Sequence, residues 1–195
     1  MDKRDIREYF DRCAPNWDAD MVRCDEKIAF ILDQAGVREG VDVLDVACGT
    51  GVLIPDYLKR KVRSVTAIDL SPEMVRLARE KFPREDVNIL CGDVEDMAEE
   101  RAFDCIMVYN AFPHFSEPER LIQKLSAMLR PGGTLTVAHG MSRAVIDRHH
   151  AGSAHSVSIG LMHEDSLAGI FAKTLTVTVK ISNDEMYQVT GRLVR

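Results

Sequence analysis

The sequence predicts a doubly wound α/β domain built on a seven-stranded, mostly parallel sheet. Three observations carry that expectation. Short apolar, β-branched runs recur along the chain, with amphipathic helical stretches between them. Those runs are apolar at consecutive rather than alternate positions, the pattern of strands buried on both faces. The last two runs break the rhythm and alternate with period two, which reads as an antiparallel C-terminal strand pair at one sheet edge. A chain of 195 residues suits one domain with one large core, so residues 1–195 are read as a single unit.

The strands are read as VDVLDVA (41–47), SVTAIDL (64–70), VNILC (87–91), FDCIMVYN (103–110) and GTLTVAH (133–139). Among the helices, CDEKIAFILDQAG sets Ile28, Ile31, Leu32 and Ala35 on one stripe and stops at Gly36. Ser71 is the expected N-cap of the next, with Pro72 at its first position. A later helix has a Ser116/Glu119 capping box, an apolar stripe from Leu121 to Leu129, and Pro131-Gly132 as its end. The tail runs 173–181 and 185–194 pair across Ser-Asn-Asp, and a helix is expected from His163. Residues 1–22 form an N-terminal lid helix region. Residues 140–162, rich in small residues and histidine, form an insertion on the substrate side.

Composition narrows the function class. Net charge is −6, which disfavours a polyanionic partner, so no nucleic acid is expected. No apolar run approaches the roughly 20 residues of a membrane span. The N-terminal MDKRDIREYF lacks the apolar stretch of a secretory signal, so a cytoplasmic location is the default. Five cysteines without a CxxC spacing read as buried reduced thiols rather than a disulfide framework.

The stretch Val43–Gly51, VLDVACGTG, is an apolar strand that ends in a glycine-rich turn, the place where an open α/β sheet binds ligands. A dinucleotide loop would need a third glycine where Ile54 stands, and a phosphate loop would need a lysine. Asp45 would repel either anion. A nucleoside ligand carrying positive charge fits better.

At this point the chain resembles the class I S-adenosylmethionine-dependent methyltransferases. Their acidic glycine-rich loop corresponds to Asp45-Val46-Ala47-Cys48-Gly49-Thr50-Gly51, with Ala47 in place of the first glycine. Their second and third acidic positions correspond to Asp69 in AIDLSPEM and Asp93 in CGDVEDM. FDCIMVYNAFPHF and LRPGGTL complete the pattern over roughly 43–137. The resemblance implies a Rossmann-like three-layer sandwich and S-adenosylmethionine as the cofactor of a methyltransferase. Asp69 would accept both ribose hydroxyls, and Asp93 and the Val94 N–H would hold the adenine, with Leu70 and Met74 against its faces. The backbone of Ala47, Gly49, Thr50 and Gly51 would approach the methionine end, whose ammonium Asp45 compensates. Tyr109 and Asn110 would face the sulfonium, and YFDRCAPNWDAD resembles the lid of small-molecule members, bringing Tyr9, Phe10 and Trp17 over the cofactor.

The acceptor is less defined. His114 is a candidate general base and Asn110 a second catalytic candidate. His149, His150 and His155 could instead belong to a metal site, or with His139 and His163 be ordinary histidines; no metal is assigned. The expected acceptor is a small molecule, with a thiol or other soft nucleophile among the options, for a monomer or homodimer without membrane contact. Methylation of RNA or protein, or a non-catalytic S-adenosylmethionine-binding regulatory module, are the alternatives.

Overall fold

The computed structural model describes residues 2–151 and 157–194, with side chains left out at 149–151. Strands β1 (Asp42–Val46), β2 (Ser64–Asp69), β3 (Val87–Cys91), β4 (Phe103–Tyr109), β5 (Leu129–His139), β6 (Thr176–Ser182) and β7 (Tyr187–Arg192) form one sheet in the order β3-β2-β1-β4-β5-β7-β6. The first five are mutually parallel, and β7 runs antiparallel to both neighbours, β5 and β6. The strand order reverses between β1 and β4, so the helices leaving these two strands diverge and open a crevice at their C-terminal ends. The last strand in sequence is not the edge: β7 slots between β5 and β6.

Helices α1 (Lys3–Cys13), α2 (Trp17–Asp20), α3 (Asp25–Gln34), α4 (Ile54–Lys59), α5 (Pro72–Lys81), α6 (Pro118–Ala127), α7 (Arg143–Ala151) and α8 (Glu164–Phe171) complete the chain. Alternate residues of the central strands feed two cores. Leu44, Val46, Ile106 and Val108 pack with Leu121, Ile122 and Leu125 of α6 and Leu167 and Phe171 of α8. Val43, Cys105 and Met107 pack on the other face with Ile28, Ile31 and Leu32 of α3, Tyr57 of α4 and Val75 of α5. Each such fully buried side chain contributes roughly 1.5–3 kcal/mol, which is why β1, buried at all five positions, can anchor the sheet.

Several boundaries differ from the sequence expectation. The Ser116/Glu119 capping box does not form: α6 starts at Pro118, its N-cap is Glu117, and no side chain caps it. Proline at the first helical position confines the preceding residue to extended backbone and moves the helix start beyond Ser116. Pro131 and Gly132 do not end α6, which stops at Ala127. They lie within β5, where pairing jumps from Phe103↔Leu129 to Cys105↔Thr134, so the extra residues bulge out. Of the cysteines expected to be buried, Cys48 and Cys105 are, whereas Cys91, last residue of edge strand β3, is exposed; all five thiols are free. The segment 140–162 contains α7, and His163 caps α8 by accepting from the Asp165 N–H. Among the described residues, no helix is long and apolar enough to cross a membrane.

The N-terminal ends of the parallel strands are held by one ion network. Asp42 of β1 accepts from Arg63 Nε at 2.9 Å and Ser64 Oγ at 2.7 Å, and pairs with Arg130 at 2.7 Å. Asp104 of β4 accepts from Arg130 at 2.9 Å and from the Asp42 N–H at 2.8 Å. The Arg63 guanidinium holds the Asp42 carboxyl well below the usual range, aided by Ser64 and Arg130 against the cost of burial. A depressed carboxyl stabilises the fold above its unfolded pKa and loses that contribution as pH falls below about 4. Asp42→Ala is expected to cost about 2–3 kcal/mol at pH 7, lowering Tm by several degrees. That deficit should shrink in melts below pH 4.

Candidate active site

A cavity of about 280 Å³ opens at the C-terminal ends of β1, β2 and β4 and beside the turn after β3. Its floor is the loop after β1, where Ala47, Gly49 and Gly51 all take positive φ (54°, 56° and 84°). Only glycine adopts this backbone without strain, so Ala47 there costs about 1–2 kcal/mol. A side chain at Gly51 would meet Ile54 and Phe82 at 2.8 Å, so this glycine serves the packing of the loop against the helices behind it.

Asp69, at the end of β2, fastens that loop. Its Oδ2 accepts from the Gly49 N–H at 2.8 Å and its Oδ1 from the Ser71 N–H at 2.9 Å. Each oxygen retains a second lone pair for a ligand hydroxyl. Burial pushes its carboxyl upward against these two amide bonds. Ser71 in turn caps α5 by accepting from the Met74 N–H, as its sequence position predicts.

Asp45 is 2% exposed, and its Oδ2 has no hydrogen-bond partner among the described residues. Burial and the nearby Asp69 charge push its carboxyl up to about 8, opposed by the Tyr57 phenol. A buried carboxyl that lines a cavity with one oxygen unsatisfied is suited to a ligand ammonium, which would both pair with it and favour its ionised form. Asp93 begins the turn after β3, where its Oδ1 accepts from the Glu95 N–H at 2.9 Å. Its Oδ2 pairs with Lys3 at 2.5 Å. The carboxylates of three neighbouring strands therefore converge on one cavity that has Leu70, Met74 and Val94 in its walls. This donor and acceptor set fits S-adenosylmethionine: a carboxyl for the ammonium, a two-oxygen acceptor for the ribose, and a third acid beside apolar walls for the adenine.

The acceptor side is set by the end of β4. Tyr109 and Asn110 line the cavity. Asn110 has φ 53°, donates its N–H to Ala138 O, and accepts from the Gly140 N–H at 3.0 Å, clamping β4 to β5. Burial raises the Tyr109 phenol above its ordinary value. His114 lines the cavity from a 3-10 turn (Phe112–His114), with Nδ1 at 2.6 Å from Val157 O. A carbonyl only accepts, so Nδ1 carries the proton and the neutral ring has its lone pair on Nε2. The Ile159 N–H donates to Pro113 O at 2.9 Å, so the substrate-side segment docks on this turn.

The roof is α1 and α2. Lys3, Ile6, Arg7 and Phe10 line the cavity from one helical face, and Trp17 joins them. Phe10 stands edge-on to both Trp17 (5.7 Å) and His114 (4.9 Å). Of the residues that the sequence singles out, Tyr9, Thr50 and Gly51 do not line the cavity. Tyr9 lies off the inward face and packs edge-on against Phe10 at 5.2 Å. Thr50 is fully buried and donates to Asp18 at 2.5 Å. Lys3, Ile6, Arg7, Cys48 and Glu95 line the cavity but were not singled out; the 3-6-7-10 spacing in α1 is the signal that could have found the first three. His139 is buried against Tyr187 and does not line the cavity. The side chains of His149 and His150, and all of His155, lie outside the described residues.

The raised Asp45 carboxyl has a definite stability signature. The unfolded carboxyl loses its proton near 3.8 and the folded one only near 8, so its effect on stability worsens as pH rises between them. Without added ligand, Asp45→Asn should melt several degrees above the parent protein at pH 8, and this difference should narrow toward pH 4. Parallel melting curves across that range would contradict a buried, proton-holding Asp45.

Comparison with known proteins adds to this geometry. The family described as "Methyltransferase domain" matches residues 43–133. The malonyl-[acyl-carrier protein] O-methyltransferase of Priestia megaterium is 31% identical over 130 residues, covering 66% of this chain and 47% of that protein. The chain spans about half the length of the curated relatives it matches. A chain from the complex between the Haloferax volcanii Trm112 methyltransferase activator and its methyltransferase superposes with a TM-score of 0.81 at 20% identity, covering 97% of both chains. The N-methyltransferase NodS from Bradyrhizobium japonicum, in complex with S-adenosyl-L-homocysteine, superposes with a TM-score of 0.68 at 16% identity, covering 88% of this chain and 87% of that one. At these identities the two superpositions speak to fold alone. With a sheet ordered 3-2-1-4-5-7-6, an acid at or just past the C-terminal end of each of its first three strands and the methyltransferase domain matched over residues 43–133, the chain belongs to the class I S-adenosylmethionine-dependent methyltransferases.

Proposed function

We propose that the protein transfers the methyl group of S-adenosylmethionine to an oxygen atom of a small-molecule acceptor. The observation that carries the first half is the convergence of Asp45, Asp69 and Asp93 on one cavity. Bound there, S-adenosylmethionine supplies an electrophilic methyl group on a sulfonium. Asp69 accepts the ribose hydroxyls, Asp93 the adenine amino group, and Asp45 the ammonium. Phe10 and Trp17 close the roof, where aromatic faces favour a cation.

The oxygen acceptor rests on His114. A thiol ionises near 8.5 and attacks with little help, whereas a phenol, which ionises only near 10, must hand its proton to a base as it attacks. In this reading the neutral His114 ring takes that proton at Nε2. The Val157 carbonyl, held on Nδ1–H, keeps the tautomer and stabilises the imidazolium. The name of the Priestia megaterium relative, an O-methyltransferase, supports oxygen over sulfur. Roofed by α1 and walled by the His114 turn, the cavity suits a compact acceptor better than a polymer. The five free thiols suit a reducing, cytoplasmic setting, and we read the protein as a monomer or homodimer acting without nucleic acid or membrane.

Calorimetry should register S-adenosylmethionine binding in the micromolar range, weakened at least thirtyfold by Asp69→Ala; absence of binding would remove the donor half of the reading. Turnover of a phenol panel, followed as S-adenosylhomocysteine release, should fall about 10²–10³-fold in kcat for His114→Gln. Cofactor affinity should stay within about threefold, because His114 acts on the acceptor. An unchanged kcat would remove His114 as the base.

A further inference from the structure

Lys3 connects the lid to the cofactor end of the cavity in a way that nothing in the sequence patterns suggested. Helix α1 buries none of its residues, so it is held by polar contacts rather than by a core. At its C-terminal end, Asp11 Oδ1 accepts from Ser71 Oγ at 2.5 Å and from the Glu73 N–H at 3.2 Å, at the start of α5. At its N-terminal end, the Lys3 ammonium sits 2.5 Å from Asp93 Oδ2 and also pairs with Glu95. The two carboxylates are 14% and 11% exposed, while Lys3 is 54% exposed, so the lysine reaches in from solvent to acids that are themselves covered.

Asp93 Oδ1 is already engaged by the Glu95 N–H. Each oxygen of Asp93 thus already has one donor, and an adenine amino group reaching this carboxylate would arrive beside the Lys3 ammonium on Oδ2. Glu95 gives Lys3 a second partner, and Arg120, 3.5 Å from Glu95, adds positive charge on the same side.

We infer that Lys3 is an exchangeable latch: its ammonium occupies Asp93 until S-adenosylmethionine enters, then yields that oxygen to the adenine amino group while staying paired with Glu95. This inference rests on the proposed cofactor reading. Two consequences follow from the geometry. Entry of the cofactor requires an ion pair to break, which slows association. The retained Lys3–Glu95 pair keeps α1 over the bound cofactor, so the lid recloses without a new contact having to form.

Trp17, the one tryptophan of the chain, lines the cavity and reports on its occupancy. S-adenosylhomocysteine, which has no net charge, is the probe, mixed in stopped flow at 20 mM and 300 mM salt. The parent protein should bind faster at high salt, because screening loosens the latch. Lys3→Met should bind about tenfold faster at low salt and show little salt response. Equal rates and equal salt responses in the two proteins would overturn the latch, while leaving the cofactor reading in place. No calorimetric binding to either protein would overturn both. Glu95→Gln supplies an independent readout: without the fallback partner, S-adenosylhomocysteine should increase tryptic cleavage within α1, at Lys3, Arg4 or Arg7. In the parent protein it should leave that cleavage unchanged or reduced. Unchanged cleavage in Glu95→Gln would mean that Lys3 does not leave Asp93.

Discussion

The carboxylate of Asp69 is the interaction on which the site depends. It stands at the end of a buried strand and takes the Gly49 amide on one oxygen and the Ser71 amide on the other. That pair of bonds joins the loop after β1 to the turn that opens α5. The positive-φ conformations of Ala47 and Gly49 are thus held by a neighbouring strand rather than by the loop itself. Because β1 and β2 are in parallel register from Asp42↔Ser64 to Val46↔Ile68, the loop and the acid are delivered side by side. The sheet places the acid, and the acid shapes the loop.

The same convergence creates an electrostatic problem. Burial raises both carboxyls, and the Asp69 charge raises Asp45 further. Such a site is least comfortable when it holds no cation. A ligand with an ammonium and a sulfonium relieves that discomfort, so binding energy comes partly from groups that the fold has left unsatisfied. Beside Asp93 the protein supplies a cation of its own, Lys3. The two ends of one cavity therefore treat excess acid differently: burial favours the protonated form of Asp45 at one, and Lys3 pairs with Asp93 at the other.

The roof is held with little buried surface. Helix α1 has its inward residues over the cavity rather than in a core, and polar contacts at both ends decide where it rests. Phe10 links this roof to His114, and His114 is linked through Val157 to the segment after α7. The roof and the His114 turn consequently meet at the Phe10–His114 contact.

Much of this was legible in the residues. Runs of consecutive apolar positions gave the parallel strands, because a strand covered on both faces has no reason to alternate. The Asp45, Asp69 and Asp93 spacing picked out three acids that line one cavity, since an acid at the end of each strand is a local feature. Local patterns failed where a neighbouring residue or a remote partner overrode them. Ser116 has the composition of a cap, but the proline two residues on sets the helix start. Tyr9 and Phe10 are equally aromatic, and only the rotation of α1 on the body turns Phe10 inward. Pro131-Gly132 looks like a helix stop, yet pairing with β4 draws it into a bulged strand. Lys3 is an ordinary charged residue until the fold sets it against Asp93, ninety positions away in the chain. Strand identity and the acids of the site are short-range properties, so the sequence by itself determined them. Which oxygen is free, which ring faces inward and which nitrogen of His114 carries the proton depend on distances between remote segments, and only the tertiary structure decided those.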